Sequence, residues 1–518
     1  MRGWTGGVIA AIGLLLPVGN AIGSGISAGY EGVDPVAQKM QKNISPSPFQ
    51  QQLRAAAELS MADDFAGSDR ILLPMISAGS FKDLTAHQQH AVLALAATNA
   101  MLQDELGRSR RLYQRAIQVD AGYPSDHYFL SLIQAEQGDY TEAAGHLAQA
   151  ARLLPSVPDD VVIDDHYVYQ LLNELDDDAP ERLAVLQALF DANWNRDGLG
   201  ADDLWYELAL MRVKQGDAGR AAEAIERVRW PDQLVRLRSD RRFDALVDLQ
   251  APQFDVEDAA RANVDRLRAL ADERPSNLKV RMDLTYAMLA MGMDEDVIAL
   301  TGEVQATLDS ATAGQAPYED AGEYLPWILN NRAIALRRSG RIDEALQLLV
   351  RASAMDELGE TNVSQVLNLG TFYCRLARPE QARAAIAPVG SMSGYGRMVQ
   401  ASIEHCAAWQ AGDRAAAGKA MTYLREHRDD AQTIWLDALL REGRLDEAAR
   451  VLLGQLESVD ERAEALSALQ EYREVEPLPG ARETMAHWKA LKARPDVRQA
   501  VERVGRMQQY GIYESSGM

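Results

Sequence analysis

Residues 127–155 read HYFLSLIQAEQGDYTEAAGHLAQAARLLP, and the fold is decided by how this stretch repeats. It predicts a helix, a turn at Gly138 and a second helix that ends at Pro155. The same order returns in WYELALMRVKQGDAGRAAEAIERV (205–228), NNRAIALRRSGRIDEALQLLVRAS (330–353), LNLGTFYCRLARPEQARAAIAPV (367–389) and IWLDALLREGRLDEAARVLLGQL (434–456). First helices carry a small or neutral residue, such as Ser131, Ala209, Ala333 or Gly370, where two axes about 8–10 Å apart would cross. Gly138, Gly216, Gly292, Gly340, Gly412 and Gly443 stand at the turns, free to take the left-handed conformation that ends a helix. Asp139, Asp217 and Asp413 follow them as expected N-caps. Ala143, Ala221, Ala345, Ala382, Ala417 and Ala448 take the close-contact position of the second helix. One unit departs: it lacks the turn glycine, and Pro379 opens its second helix, where a missing N–H costs nothing.

This pattern resembles the tetratricopeptide repeat, a pair of antiparallel helices of about 34 residues that stacks on its copies into a right-handed superhelix. The expected fold is therefore all-α. It is a right-handed α-solenoid of about ten or eleven helix-turn-helix repeats over residues 49–462, followed by C-terminal capping helices over 463–518. Residues 49–84, 161–196 and 241–275 are expected to keep the helices without the signature, and an insertion is expected near 311–326.

Composition fits such a chain. Hydrophobic residues at 47% and charged residues at 25% of 518 sit at the averages of folded soluble proteins. The 53 basic and 76 acidic side chains leave a net charge of −23, a field that repels phosphate backbones, so no nucleic acid is expected as the main partner. At the N-terminus Arg2 precedes the apolar stretch VIAAIGLLLPV (8–18) and small residues follow. This predicts a signal peptide over 1–21 and a proline-broken linker over 22–48, with no integral membrane span in the mature form; an uncleaved anchor is the alternative. Arginine outnumbers lysine 45 to 8, the bias of a GC-rich bacterial genome, so a periplasmic or secreted location is expected.

Motifs for chemistry fail on inspection. His87 and His90 share a helical face, but no glutamate or cysteine completes a zinc site. The stretch GDRAAAGK (412–419) has five residues between its glycines where a phosphate loop needs four, and Ala420 where a hydroxyl is required. Asn193, Asn195, Asp197 and Gly198 begin like a calcium loop, yet Leu204 stands where the bidentate glutamate belongs. No catalytic residue, metal or cofactor is expected. An enzyme-accessory subunit with cryptic hydrolase activity is the alternative from another class.

Two charge features remain. Residues 159–207 hold 14 acidic side chains and two arginines, read as a solvated face or a strip for a basic partner. Arg227, Arg229, Arg236, Arg238, Arg241 and Arg242 follow, either to neutralise acids within the array or to form an anion site.

The resemblance implies binding. Such arrays hold an extended or helical peptide in a concave groove lined by first helices, and some clamp a C-terminal carboxylate with asparagines and basic residues. Carried over by helical phase, the groove face of one helix shows Trp327, Asn330, Ile334 and Arg337, flanked by Asn331 and Arg338. Its neighbour shows Ser364, Leu367, Asn368, Thr371, Cys374 and Arg375. The expected partner-binding set is Asn330, Asn331, Arg337, Arg338, Asn368 and Arg375, because amides and guanidinium groups together bond a peptide backbone and its carboxylate. The expected function is a non-enzymatic scaffold or adaptor for a protein or peptide partner, in the cell envelope. Cys374 and Cys406, in adjacent first helices, are placed toward the same groove; axes 8–10 Å apart make a bond borderline, so two free, partly buried thiols are expected, with a disulfide as the alternative.

Overall fold

The computed structural model describes residues 47–514 apart from 155–160, 197, 313, 358–359, 388 and 391. The expected signal peptide and all of the linker but its last two residues lie outside the described residues. Among those described, 25 α-helices, a few 3-10 turns and one small hairpin, Asp356–Glu357 with Glu360–Thr361, form the regular structure. The fold is all-α, built of antiparallel helix pairs in the manner of a tetratricopeptide-like solenoid. The span expected as one array divides into two compact units, at residues 197 and 198.

Unit 1 contains α1 (Pro48–Met61), α2 (Phe65–Ser77), α3 (Ala86–Leu102), α4 (Leu106–Val119), α5 (Pro124–Glu136), α6 (Tyr140–Leu153), α7 (Asp165–Asn173) and α8 (Pro180–Asp191). Unit 2 begins with α9 (Asp202–Lys214), α10 (Ala218–Ile225), α11 (Pro231–Ser239), α12 (Val256–Glu273), α13 (Leu278–Met291), α14 (Asp294–Ser310), α15 (Ala321–Arg338) and α16 (Ile342–Ser353). It continues with α17 (Val363–Arg375), α18 (Pro379–Ile386), α19 (Gly394–Gln410), α20 (Arg414–Glu426), α21 (Gln432–Arg441) and α22 (Leu445–Glu457). The last helices are α23 (Arg462–Ala468), α24 (Arg482–Lys492) and α25 (Pro495–Val504). Counted in chain order, α1 to α22 are eleven successive helix pairs, although α8 packs on α6 rather than on α7. The unit expected over 241–275 is shifted: its first helix is α11, which ends before Arg241, and only α12 falls inside the span.

The local chemistry works as the residues dictate. All six turn glycines have positive φ, between 69° at Gly443 and 79° at Gly138 and Gly340. Where the glycine is missing, Ala377 takes the same conformation at φ 57° and its N–H bonds Cys374 O, so the turn geometry outlasts the residue best suited to it. Ala143, Ala221, Ala345, Ala382 and Ala448 are fully buried, and a Cβ on Gly370 would sit 2.7 Å from Ile386 Cγ2. Larger side chains there would separate the helices. Asp217 and Asp413 cap α10 and α20, accepting from Arg220 N at 3.2 Å and Ala416 N at 3.0 Å. Asp139 does not cap; its carboxylate is drawn to Arg110 Nη1 at 2.8 Å instead. The suspected phosphate loop is the turn at Gly412 and the opening of α20.

Cys374 and Cys406 are disulfide-bonded, with Cα atoms 6.3 Å apart. This corrects the expectation of free thiols. It also corrects their placement, since both are buried with Val366, Ile386 and Ile403 in the core between α17, α18 and α19 and face no groove.

In unit 1, α5 and α6 bring His127 Nδ1 to 2.9 Å from His146 Nδ1. Burial and the neighbouring His146 push His127 down to about 4, and burial and Arg110 lower His146. Both rings are therefore neutral when folded and protonate more readily when unfolded, so stability is full above about pH 6.5 and is lost as pH falls from there toward 4. Between pH 7 and 5 the chain is expected to lose about 1 kcal/mol in unit 1 that a His127→Gln, His146→Gln variant retains. Hydrogen exchange of α5 at the two pH values measures it, and an equal loss in the variant would rule the pair out.

Unit 2 closes on itself. The helices expected beyond Arg462 are present, and they do not end a free stack. Arg506 N donates to Ser239 O at 2.9 Å, Arg241 Nε to Glu502 O at 3.0 Å and Arg242 Nη1 to Val459 O at 2.7 Å. Lys214 pairs with Asp460 at 2.7 Å. Asp240, with no solvent exposure, accepts from Arg242 Nε at 2.9 Å and Nη2 at 2.5 Å. At Gly505 a Cβ would run into the Ser239 carbonyl, so the approach demands glycine.

Candidate functional site

Seven residues of helix advance about 10.5 Å and nearly two turns, which returns a side chain to the same face. On α15 this aligns Asn330 with Arg337, and on the adjacent α17 it aligns Asn368 with Arg375. Asn368 Nδ2 donates to Asn330 Oδ1 at 3.2 Å, tying the two stripes together at one level. The two arginines stand at the C-terminal ends of these first helices, Arg337 one residue before the last and Arg375 the last.

Their electrostatics are unusual for so acidic a chain. Arg337 and Arg375 have no hydrogen bond or ion pair among the described residues, and Arg337 Nε is buried without a partner. Burial, the field of Arg375 and then that of Arg338 push Arg337 down to about 10, so it stays charged at neutral pH. Arg375 is lowered too, chiefly by burial and also by Arg441, with Asp437 and Glu514 opposing. Arg337, half-buried in the field of Arg375 and Arg338 and with no ion pair among the described residues, is poised to gain from an anion.

Of the six predicted residues, the structure brings these four together. Asn331 and Arg338 are committed elsewhere. Asn331, fully buried, donates to Thr285 Oγ1 of α13 at 2.9 Å. Arg338 donates to Leu289 O at 2.6 Å, lies 3.6 Å from Asp294 and stacks on Tyr513 at 4.3 Å from the ring centroid. Both side chains hold α15 against α13 and α14. The predicted groove face is also partly core, since Ile334, Leu367 and Cys374 are buried.

Sequence reasoning missed the surroundings contributed by distant chain. Arg473 and Tyr513 flank Arg338, and Arg441 and Asp437 of α21 pair at 2.5 Å beside Arg375. Nothing in their local sequence signals this. Within unit 2 the arginine cluster after Trp205 proves structural. Arg238 donates to Leu249 O and Phe254 O, and Arg241 and Arg242 bind the C-terminal part as described. Arg227 and Arg236 lie over the Trp205 and Tyr206 rings, and Arg229 Nη1 donates to Val228 O. In unit 1 Asp176, Asp177 and Asp178 are exposed, with Arg182 3.8 Å from Asp177. A depression of about 400 Å³ lies between Asp69, Arg70, Pro74, Gln103 and Arg108, where Asp69 accepts from Gln103 Nε2 at 3.0 Å and meets Arg108 Nη2 at 2.5 Å.

His87 faces Tyr123 Oη at 2.7 Å, and His90 is buried against Asp126 at 2.7 Å. No group of three His, Cys, Asp or Glu side chains among the described residues is arranged to hold a metal ion. No helix among them is long and apolar enough to cross a membrane.

No protein-family model matches the chain. No curated protein matches it either. Among solved structures, it is similar to a chain of the APC/C hetero-tetramer Cut9–Hcn1. The identity is 12%, with 88% of this chain and 80% of that one covered, at a TM-score of 0.35. It is also similar to a chain of Naa15/Naa10 bound to HypK-THB. There the identity is again 12%, with 78% and 68% covered, at a TM-score of 0.25. Neither superposition transfers a residue role.

Proposed function

We propose that the chain is a non-enzymatic scaffold or adaptor whose unit 2 binds an acidic segment of a protein partner at Arg337 and Arg375, with Asn330 and Asn368 beside them. The observation that carries this reading is Arg337, a half-buried cation with no ion pair among the described residues and a buried Nε without a partner, in a chain of net charge −23. An incoming carboxylate would supply counter-charge to Arg337 and add to that of Asp437 near Arg375, and planar guanidinium suits bidentate bonding to it. Asn368, held by buried Asn330 and partly open to solvent, offers its amide oxygen to peptide backbone.

The same proposal places the protein outside the cytoplasm, in the periplasm or secreted. The apolar stretch after Arg2 supports an export signal, and a buried disulfide fits an oxidising compartment.

Fluorescence anisotropy tests the binding reading. A labelled peptide alternating glutamate and alanine is expected to saturate the protein in the micromolar range, and its lysine counterpart is not. Equal binding of the two, or none by the acidic one, removes the reading.

A further inference from the structure

The end of α17, where Arg375 stands, is held from several directions. Toward α19, Cys374, the residue before Arg375, is bonded to Cys406, with Cα atoms 6.3 Å apart. Gln410, the last residue of α19, donates its Nε2 back to Cys374 O at 2.8 Å. The same carbonyl accepts from Ala377 N at 3.0 Å and closes the turn into α18. Residues 478–480 of the C-terminal part seat against it: a Cβ on Gly480 would run into Cys374 O, and Leu478 is buried with Leu336 and Phe372. Toward α15 the tie is made by side chains, Asn368 to Asn330 at 3.2 Å.

The core that contains the two sulfurs has little slack. Cys374 and Cys406 are 4% and 3% exposed and pack with Val366, Ile386 and Ile403. About one turn earlier on α17, a Cβ on Gly370 would stand 2.7 Å from Ile386 Cγ2 and 3.2 Å from Ile403 Cδ1. A covalent bond holds two sulfurs inside the distance at which non-bonded atoms touch, so two thiols in the same place need about 1.5–2 Å more separation. An interior packed at crystal density yields that room by moving the elements around it. With residues 478–480 and Gln410 closing the other directions, the displacement falls on the interval between α17 and α15, and therefore on the spacing of Arg375 from Arg337.

From this placement we infer that the Cys374–Cys406 pair is a redox latch on the acidic-peptide site: as a disulfide it keeps the end of α17, and with it Arg375, in register with Arg337, and as two thiols it crowds the core, shifts that end and weakens the hold on an acidic segment. The inference rests on the acidic-peptide reading of Arg337 and Arg375 and adds its regulation. Opening the latch takes a dithiol reductant, which gives up two electrons and two protons, leaves as its own disulfide and converts the S–S bond into two thiols. Neither sulfur is open to solvent, so exchange must wait until α17 and α19 part. The state of the pair is thus set while unit 2 folds and kept afterwards. A chain folded in an oxidising compartment carries the tight site, and one folded among reduced thiols carries the weak one.

The test uses the full chain in two forms, oxidised and prepared under dithiothreitol, each verified by counting thiols after denaturation. The reduced form is expected to bind the labelled glutamate–alanine peptide about tenfold more weakly, the equivalent of one charge-assisted hydrogen bond. Cys374→Ala leaves one sulfur and no crowding, so it is expected to bind like the oxidised chain and to ignore dithiothreitol. In the reduced form hydrogen exchange should quicken in α17 and α19 and stay unchanged in α11 and α25. Equal affinity of the two forms, with both binding, would overturn the latch and leave the site standing. So would a reduced chain that fails to fold, or that loses protection across the whole of unit 2, because the pair would then serve stability alone. A Cys374→Ala variant that binds as weakly as the reduced chain would overturn the crowding on which the latch depends. Absence of binding in every form would overturn the acidic-peptide reading and the latch together.

Discussion

A chain carrying Arg337→Ala and Arg375→Ala is expected to bind an acidic peptide on the order of a hundredfold more weakly than the parent. Each charge-assisted hydrogen bond is worth about 1.5–3 kcal/mol, and the pair accounts for two decades of affinity even at the low end. Folding should not suffer. Neither guanidinium has a bond to lose among the described residues; burial opposes the charge of each, with Arg375 and Arg338 adding to it at Arg337 and Arg441 at Arg375. The thermal midpoint is therefore expected to hold or to rise slightly, which separates loss of a site from loss of structure. Salt is a poor substitute for the mutant. It weakens the contact, yet it also screens the repulsion between an acidic ligand and a protein of net charge −23. Unchanged affinity in a folded double variant would move attention to the exposed acids at Asp176, Asp177 and Asp178 and to a basic partner.

The second large effect concerns the closure of unit 2. Asp240→Ala removes a carboxylate that is wholly out of solvent and leaves Arg242 without its bidentate partner, while Arg242 still bonds Val459 O. Breaking one side of a buried pair costs about 3–5 kcal/mol, because the remaining charge stays desolvated. The loss should appear at both ends of the seam together. Hydrogen exchange of residues 231–243 and 500–510 is expected to accelerate on the order of a thousandfold, with α17 to α20 affected less. Protection unchanged at either end would mean that the seam does not act as one unit.

What was legible in the sequence was local. Glycine at a left-handed turn and alanine at a helix crossing are demanded by geometry within about 35 residues, so residues 127–155 and their copies revealed the fold. The stripe of Asn330 with Arg337, and of Asn368 with Arg375, was legible for the same reason, since helical phase is local. Helical phase does not say which neighbouring helix a side chain meets. Asn331 and Arg338 look like groove residues until Thr285 and Asp294, some 45 residues away, are seen against them. The disulfide turned on whether two helices lie slightly nearer or farther apart, which no periodicity encodes. The path of residues 505–514 was illegible for a different reason: RMQQYGIYE (506–514) has no apolar repeat, and its partners at Ser239, Glu257 and Ala290 lie more than 200 residues upstream.

The closure also sets a clock on synthesis. Arg506 and Asp244, which pair across the seam, are 262 residues apart, and a ribosome adding about 5–20 residues per second needs about 13–50 s to cover that distance. For that interval the nascent α9 to α12 have none of the chain that will complete them, and Asp240 has no Gly505 beside it. An open repeat stack could settle pair by pair as it emerged; this unit must wait for its last residues. Slowing translation in the final stretch should therefore prolong the life of a protease-sensitive intermediate cut near residues 240–255, and a chaperone that shields those helices should raise the yield of finished protein.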